Sequence, residues 1–262
     1  MRDFTYSVYR KMLEAALRSG YHLISYEDFV TGNTGGKEKL FILRHDADRM
    51  PQNSLRIAQI EHELNVRGTF YFRVLESYDP GVIREIVALG HELGYHYEDV
   101  TIAKGNLDEA YQLFQKHLEM FRQFYPVKTI CMHGSPMTRW DNRIIWNKYN
   151  YRSHGIIAEP YFDTDFSKFL YITDTGRGWN HSTVSVRDHV DSPYNRRFDS
   201  TQDLIRDFEE NKLPSLIMQN IHPHRWNNNW MLWSRELVFQ NIKNVVKYFI
   251  SRSRTGTEMQ ES

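Results

Sequence analysis

The residues best equipped for chemistry in this chain sit at the ends of apolar runs. Leu40-Phe-Ile-Leu43 leads without a break into Arg44, His45, Asp46 and, one residue on, Asp48. A continuous apolar run reads as a strand buried on both faces, as in a parallel sheet. Four ionisable residues at its end do not suit a core, because buried charge needs a partner or a metal. They suit the C-terminal mouth of a barrel or doubly wound sheet, where active sites collect. On an extended backbone Asp46 and Asp48 point the same way, so one carboxylate can bind a metal while the other takes a proton. Three further runs end alike, in His96, in His133, and in His222 with His224. A carboxylate with neutral imidazoles suits a divalent ion, zinc first, with iron, cobalt, nickel or manganese as alternatives. Three protein ligands leave a position open for water, and a histidine opposite can protonate a leaving amine or alcohol.

Positioning these groups requires alternating strands and helices. Helical spacing over Phe4 to Ser19 closes on Gly20, and Tyr21 to Tyr26 reads as a short strand. Thr31 to Gly36 is a surface loop by composition, and the opening strand follows it. A helix from Pro51 to Leu64, a strand over Gly68 to Val74 and a helix capped by Asp79-Pro80 running through Leu89 come next. Gly90 to His96 reads as a strand, Leu107 to Phe124 as a long helix and Lys128 to Met132 as a strand. Tyr149 to Asp199 is irregular apart from a strand at Phe169 to Thr173 and the turn Asp174 to Gly178. Helix returns at Thr201 to Glu210, strand at Leu216 to Ile221 and helix at Ser234 to Ile250, before a polar tail. The alternation predicts an α/β sheet or barrel in a single domain over 1–262.

Bulk properties narrow the function classes. The 33 Lys and Arg balance the 33 Asp and Glu, so no global field favours nucleic acid or a membrane surface. A lone cysteine, Cys131 in an apolar run, excludes an internal disulfide framework and fits a reducing compartment. There is no apolar signal region, and no run reaches the ~18 apolar residues of a membrane span. The expectation is a cytoplasmic protein. The abundant aromatics (16 Tyr, 15 Phe, 6 Trp) suit a packed core by default and a sugar-stacking surface as the alternative.

Each candidate also has a structural reading. Asp46 and Asp48 could be solvated carboxylates at a strand end, and His96 or His133 could be satisfied core histidines. His91, five residues before His96 and on the other strand face, reads as structural. Asp174, Arg177 and Trp179 suit a substrate loop, since Arg grips carboxylates and Trp stacks on sugars, or else a plain turn. Trp226, Trp230 and Trp233 could wall a cleft or pack.

These motifs, in this order, resemble the polysaccharide deacetylases (NodB-like, carbohydrate esterase family 4). Leu43-Arg-His-Asp-Ala-Asp48 is similar to the family's first motif, Gly68-Thr-Phe-Tyr-Phe72 to the strand after its first helix, and Gly90-His-Glu-Leu-Gly-Tyr-His96 to its Gly-His-Glu run. Ile221-His222-Pro223 is similar to its late histidine motif. The likeness covers roughly 38–135 well and 214–226 more weakly. It implies a distorted (β/α) barrel of seven or eight strands, Asp46 as general base, Asp48 and His96 as metal ligands, and His222 as general acid. It departs at Val100, where the family has a second histidine four residues after the first. Glu98, His133, Asp163 or His224 could supply the third ligand, with His133 preferred because it follows a strand. An Arg orients the base near that place in the family, so His133 could instead partner Asp46. Arg44 and His45 replace small and aromatic residues, and the added positive charge could bind an anionic substrate group or depress the pKa of Asp46.

The resemblance implies a deacetylase-type hydrolase acting on an N-acylated, or O-acylated, sugar. A sugar nucleotide or another surface-polysaccharide precursor (capsule, O-antigen) is the expected substrate. The alternatives are a catalytically silent sugar-binding or assembly member, and other C–N chemistry such as amide formation on a uronic acid, where Arg44 and Arg177 would meet the carboxylate.

Overall fold

The computed structural model describes residues 2–134, 138–179, 190–194 and 196–241. Helix α1 (Tyr6–Arg18) is capped by Thr5, whose hydroxyl accepts from the Val8 amide, and it buries Val8, Tyr9, Met12, Leu13, Ala15 and Ala16 at helical spacing. It ends before Gly20, whose φ of +82° is open to glycine at little cost. Strand β1 (His22–Ile24) is shorter than the sequence suggests. Ser25 accepts from the Asp28 amide and starts a helix, α2 (Tyr26–Val30), that the apolar pattern does not reveal.

Strand β2 (Leu40–Ala47) is buried at every position. Helix α3 (Pro51–Glu63) follows with Pro in its first turn, then β3 (Thr69–Phe72) and α4 (Pro80–Ala88), with the Asp79 side chain accepting two amides. Strand β4 (Glu92–Tyr97) runs into the single turn α5 (Asp99–Ile102), the long α6 (Leu107–Arg122) and β5 (Ile130–Met132). The irregular middle holds short 3₁₀ segments, α7 (Pro160–Asp163) and β6 (Leu170–Thr173). A reciprocal Ser200/Asp203 cap opens α8 (Thr201–Glu209), which leads to β7 (Leu216–Ile221). Helix resumes over 230–241. The rest of the expected last helix and the polar tail, residues 242–262, lie outside the described residues.

All strand pairings are parallel, in the order β5-β4-β3-β2-β7-β6. One edge of β2 is shared in succession, with β1 beside Leu40 to Ile42 and β3 beside Arg44 to Ala47. The sheet curls into a half-barrel with helices outside, the α/β class that strand–helix alternation predicts. Period-two alternation sorts β2 between two cores. Phe41, Leu43 and Ala47 join the core under the helices, while Leu40 and Ile42 join Ile24, Phe169, Tyr171 and Met218 inside the curl. Burying each of these larger apolar side chains is worth about 1.5–3 kcal/mol, which offsets the cost of desolvating the charges that follow on the same strand. No helix among the described residues is long and apolar enough to cross a membrane.

Candidate metal centre

The parallel register brings the C-terminal ends of β2, β4, β5 and β7 together, and three imidazoles meet one carboxylate there. Asp48 Oδ1 lies 3.5 Å from His96 Nε2 and 3.6 Å from His133 Nε2, and Asp48 Oδ2 lies 3.9 Å from His222 Nε2. Asp48, His96 and His133 present donor atoms within 4.8 Å of one another, a grouping that could hold a metal ion.

Each imidazole is oriented from behind through Nδ1. His96 Nδ1 is 2.9 Å from the Cys131 carbonyl oxygen, His133 Nδ1 is 3.1 Å from Glu98 Oε2, and His222 Nδ1 is 2.7 Å from Asp174 Oδ1. The partners of His96 and His133 are acceptors, so they assign the proton to Nδ1 of those two rings and leave their Nε2 lone pairs facing Asp48, while His222 Nδ1 has both Asp174 Oδ1 and the donor Arg225 Nη1, at 3.0 Å, beside it. This is the arrangement by which proteins present histidine to metals. Asp48 Oδ1 and Asp46 Oδ1 are buried without a hydrogen-bond partner. An unsatisfied buried carboxylate oxygen costs several kcal/mol, and a cation between Asp48 and the imidazoles would remove that cost. The donor set, one carboxylate and neutral imidazoles, fits a borderline divalent ion.

Electrostatics sharpen the roles. Burial opposes ionisation of Asp48, yet positive charge on His96, His133 and His222, a role that a bound cation would take over from neutral imidazoles, holds its carboxyl well below the usual carboxylate range. Burial likewise opposes the charge on Asp174, but Arg225 and His222 hold it at about 2. Asp174 is held on all sides, receiving the His222 amide, Arg225 Nη1 at 2.8 Å and Trp226 Nε1 at 2.8 Å. Asp46 Oδ2 accepts from Asn220 Nδ2 at 2.8 Å and lies 3.9 Å from His96 Nε2.

Several expected substrate groups are placed elsewhere. Arg44 is fully buried beneath Asp46, its guanidinium 3.1 Å from Cys131 Sγ and over the rings of Tyr71 and Tyr161. No surface remains for a substrate anion. His45 projects from the opposite face of β2, bonding the Thr69 carbonyl and Glu61, so it is not brought to the site. Trp179 packs on Phe4 and Trp226 and donates to Thr201, which makes it a core residue. Arg177 stacks on Trp233 and donates to its carbonyl, and burial pushes its guanidinium down to about 10. Asp174 is behind His222 rather than open to a ligand. The 3₁₀ turn Pro223–Arg225 swings His224 toward Glu236, 3.9 Å away, and burial then Arg225 hold its imidazole well below its ordinary range.

Among the other candidates for third ligand, Asp163 bonds Tyr151 and the Glu159 amide, and Glu98 pairs with Arg73 behind His133. Val100 is fully buried in the core under the helices. His91, read as structural, accepts from the Gly68 amide and bonds the Ala58 carbonyl. Sequence reasoning missed Asn220, Arg73 and Arg225. Period-two counting back from His222 reaches Asn220 and could have found it, whereas Arg73 and Arg225 carry no local signal.

No protein-family profile matches the chain, and no curated protein matches it.

Proposed function

We propose that this chain is a metal-dependent hydrolase that removes an acyl group from an amino sugar, on a distorted (β/α) barrel of the polysaccharide-deacetylase type. The observation that supports this most is the convergence of three Nε2 atoms on Asp48, whose Oδ1 is buried without a hydrogen-bond partner, with a second carboxylate, Asp46, beside it. Asp48, His96 and His133 would hold the ion. When bound, it would supply Lewis acidity toward the acyl carbonyl and the attacking water.

The chain's own residues would do the proton work. Asn220 fixes Asp46 Oδ2 and leaves Oδ1 free to accept a proton from the water. His222, in its form protonated at both ring nitrogens, would deliver the Nε2 proton to the leaving nitrogen and keep the proton on Nδ1 toward Asp174. Asp174, anionic because Arg225 and His222 hold it at about 2, stabilises the imidazolium and fixes its tautomer. Trp226 and Arg225 hold Asp174 still, so little reorganisation accompanies the transfer.

Zinc content of protein purified without chelator, with acetate release from N-acetylated sugar nucleotides, tests the reading. Near-stoichiometric metal and a chelator-sensitive turnover are expected. A protein that takes up no divalent ion would sink it.

A further inference from the structure

We propose that Arg73 and Glu98 form a clamp that makes His133 a metal ligand, in place of the histidine missing at Val100. The proposal rests on the metal reading of the site. Glu98 is the residue after β4 and Arg73 the residue after β3, so both stand at the same sheet end as the imidazoles. Arg73 grips Glu98 with two parallel bonds, Nε to Oε1 at 2.9 Å and Nη2 to Oε2 at 2.7 Å. Glu98 Oε2 lies 3.1 Å from His133 Nδ1, and Arg73 Nη1 reaches the Asp48 carbonyl oxygen at 3.3 Å. One guanidinium therefore links the backbone of the Asp48 ligand to the carboxylate that aims His133. Ligands arriving on β2 and β5 are braced across β3 and β4.

The chemistry of this brace differs from that behind His96. A neutral carbonyl, Cys131 O, orients His96, whereas an ionised, bidentately held carboxylate orients His133. A carboxylate on Nδ1–H raises the basicity of Nε2 and fixes the ring plane. His133 needs this more, because it lies one residue past the end of β5. Among the described residues its backbone is held by its amide to the Tyr97 carbonyl and by Asn142 to its own carbonyl. Arg73 and Glu98 thus act through His133 as positioning residues and do not touch substrate.

Zinc affinity, measured on the full chain by competition with a chromophoric chelator, tests the clamp. Cobalt(II) spectra would be recorded alongside. Glu98→Gln should weaken zinc about 10- to 100-fold and alter the cobalt bands, while His133→Ala weakens it at least as much. Glu92→Gln, which alters another buried carboxylate of β4 bonded to Thr69, should leave the affinity unchanged. Should Glu98→Gln fail to fold by circular dichroism, Arg73→Gln gives the same readout with Glu98 and His133 retained. Wild-type affinity in a folded Glu98→Gln or Arg73→Gln protein overturns the clamp and leaves the metal reading standing. A wild-type chain that binds no zinc or cobalt overturns both.

Discussion

Two buried polar clusters lie back to back on β2, and their contrast separates what folds the protein from what it does. On the outer face His45 bonds the Thr69 carbonyl and Glu61, Tyr9 donates to the same carboxylate, and His91 joins the Gly68 amide to the Ala58 carbonyl. Glu61 Oε2 lacks a hydrogen bond there, as do both amide atoms of Gln219, which pairs with Leu43 on the same face. On the inner face, one residue along, Asp46 and Asp48 each keep a partnerless oxygen while three imidazoles turn Nε2 toward Asp48. Both clusters consist of carboxylates and histidines, the outer side chains fully enclosed and the inner Asp48 and His133 still 19% and 14% exposed. The outer histidines spend both ring nitrogens on bonds, whereas the inner three turn Nε2 to Asp48 oxygens 3.5–3.9 Å away. Residue type alone does not distinguish the clusters; the use of the ring nitrogens does.

Substitutions should therefore separate activity from stability. The largest effect is expected for Asp46→Asn, which should lower turnover about 10²- to 10⁴-fold with zinc uptake intact. The new amide can keep its oxygen toward Asn220, but its buried NH2 replaces Oδ1 without an acceptor and Arg44 loses a neighbouring anion, so urea stability should fall by about 1–3 kcal/mol. Full turnover in that variant would remove the inner cluster's claim to chemistry. Glu61→Ala is the mirror experiment. It strips Tyr9 and His45 of their shared acceptor and should cost about 3–5 kcal/mol in urea unfolding, with zinc affinity retained below the transition. A zinc affinity that collapses while the fold survives would erase the division between the faces.

How far the sequence carries follows the same division. Strand–helix alternation and the apolar run of β2 reveal the parallel α/β class, since they are one-dimensional patterns. Asp46, Asp48, His96, His133 and His222 are visible as strand-end residues, and the structure gathers them at one mouth. Arg44 and His45 look just as functional in the chain. Their fates depend on what lies across the sheet, a Cys–Tyr–Met pocket for one and Glu61 for the other. Trp179 and Arg177 were expected to meet substrate and instead pack with Phe4, Trp226 and Trp233, because distant segments close over the Asp174 turn. Arg73 and Arg225 act through partners 25 and 51 residues away, a separation that no local spacing encodes.

Glu159 is a further buried carboxylate, outside both clusters. It accepts from the Met132, Tyr161 and Phe162 amides, and burial pushes its carboxyl up to about 7 against those bonds. The folded state therefore binds this proton more tightly than the unfolded chain. The stabilisation is complete below the unfolded value of 4.5 and is lost as pH rises through about 7. The difference corresponds to about 3 kcal/mol. Glu92 and Asp99, also raised by burial, slope in the same direction, so the measurement is wild type minus Glu159→Gln. Urea midpoints between pH 5 and 7.5 should fall more steeply for wild type, with turnover alike at a fixed pH. Equal slopes would show that Glu159 stays ionised.

Gly68→Ala is the smallest and most local perturbation of the outer cluster. A Cβ at this position would lie 2.5 Å from Glu61 Oε2 and 2.7 Å from His45 Cε1. Gly68 is thus required by a close approach of side chains, and its amide also serves His91. The added methyl must push Glu61 and His45 away from each other or shift the start of β3, and overpacking of this kind costs about 1–3 kcal/mol. Because His45 neighbours Asp46, the same push tests how well β2 insulates its two faces. Zinc affinity within about twofold of wild type, in a protein with a lowered urea midpoint, means that the displaced outer cluster relaxes toward α3. The buried strand then holds Asp46 and Asp48 in register, as close packing on both faces leads one to expect. A larger loss of zinc would mean that the His45–Glu61 pair helps to set the position of the inner carboxylates.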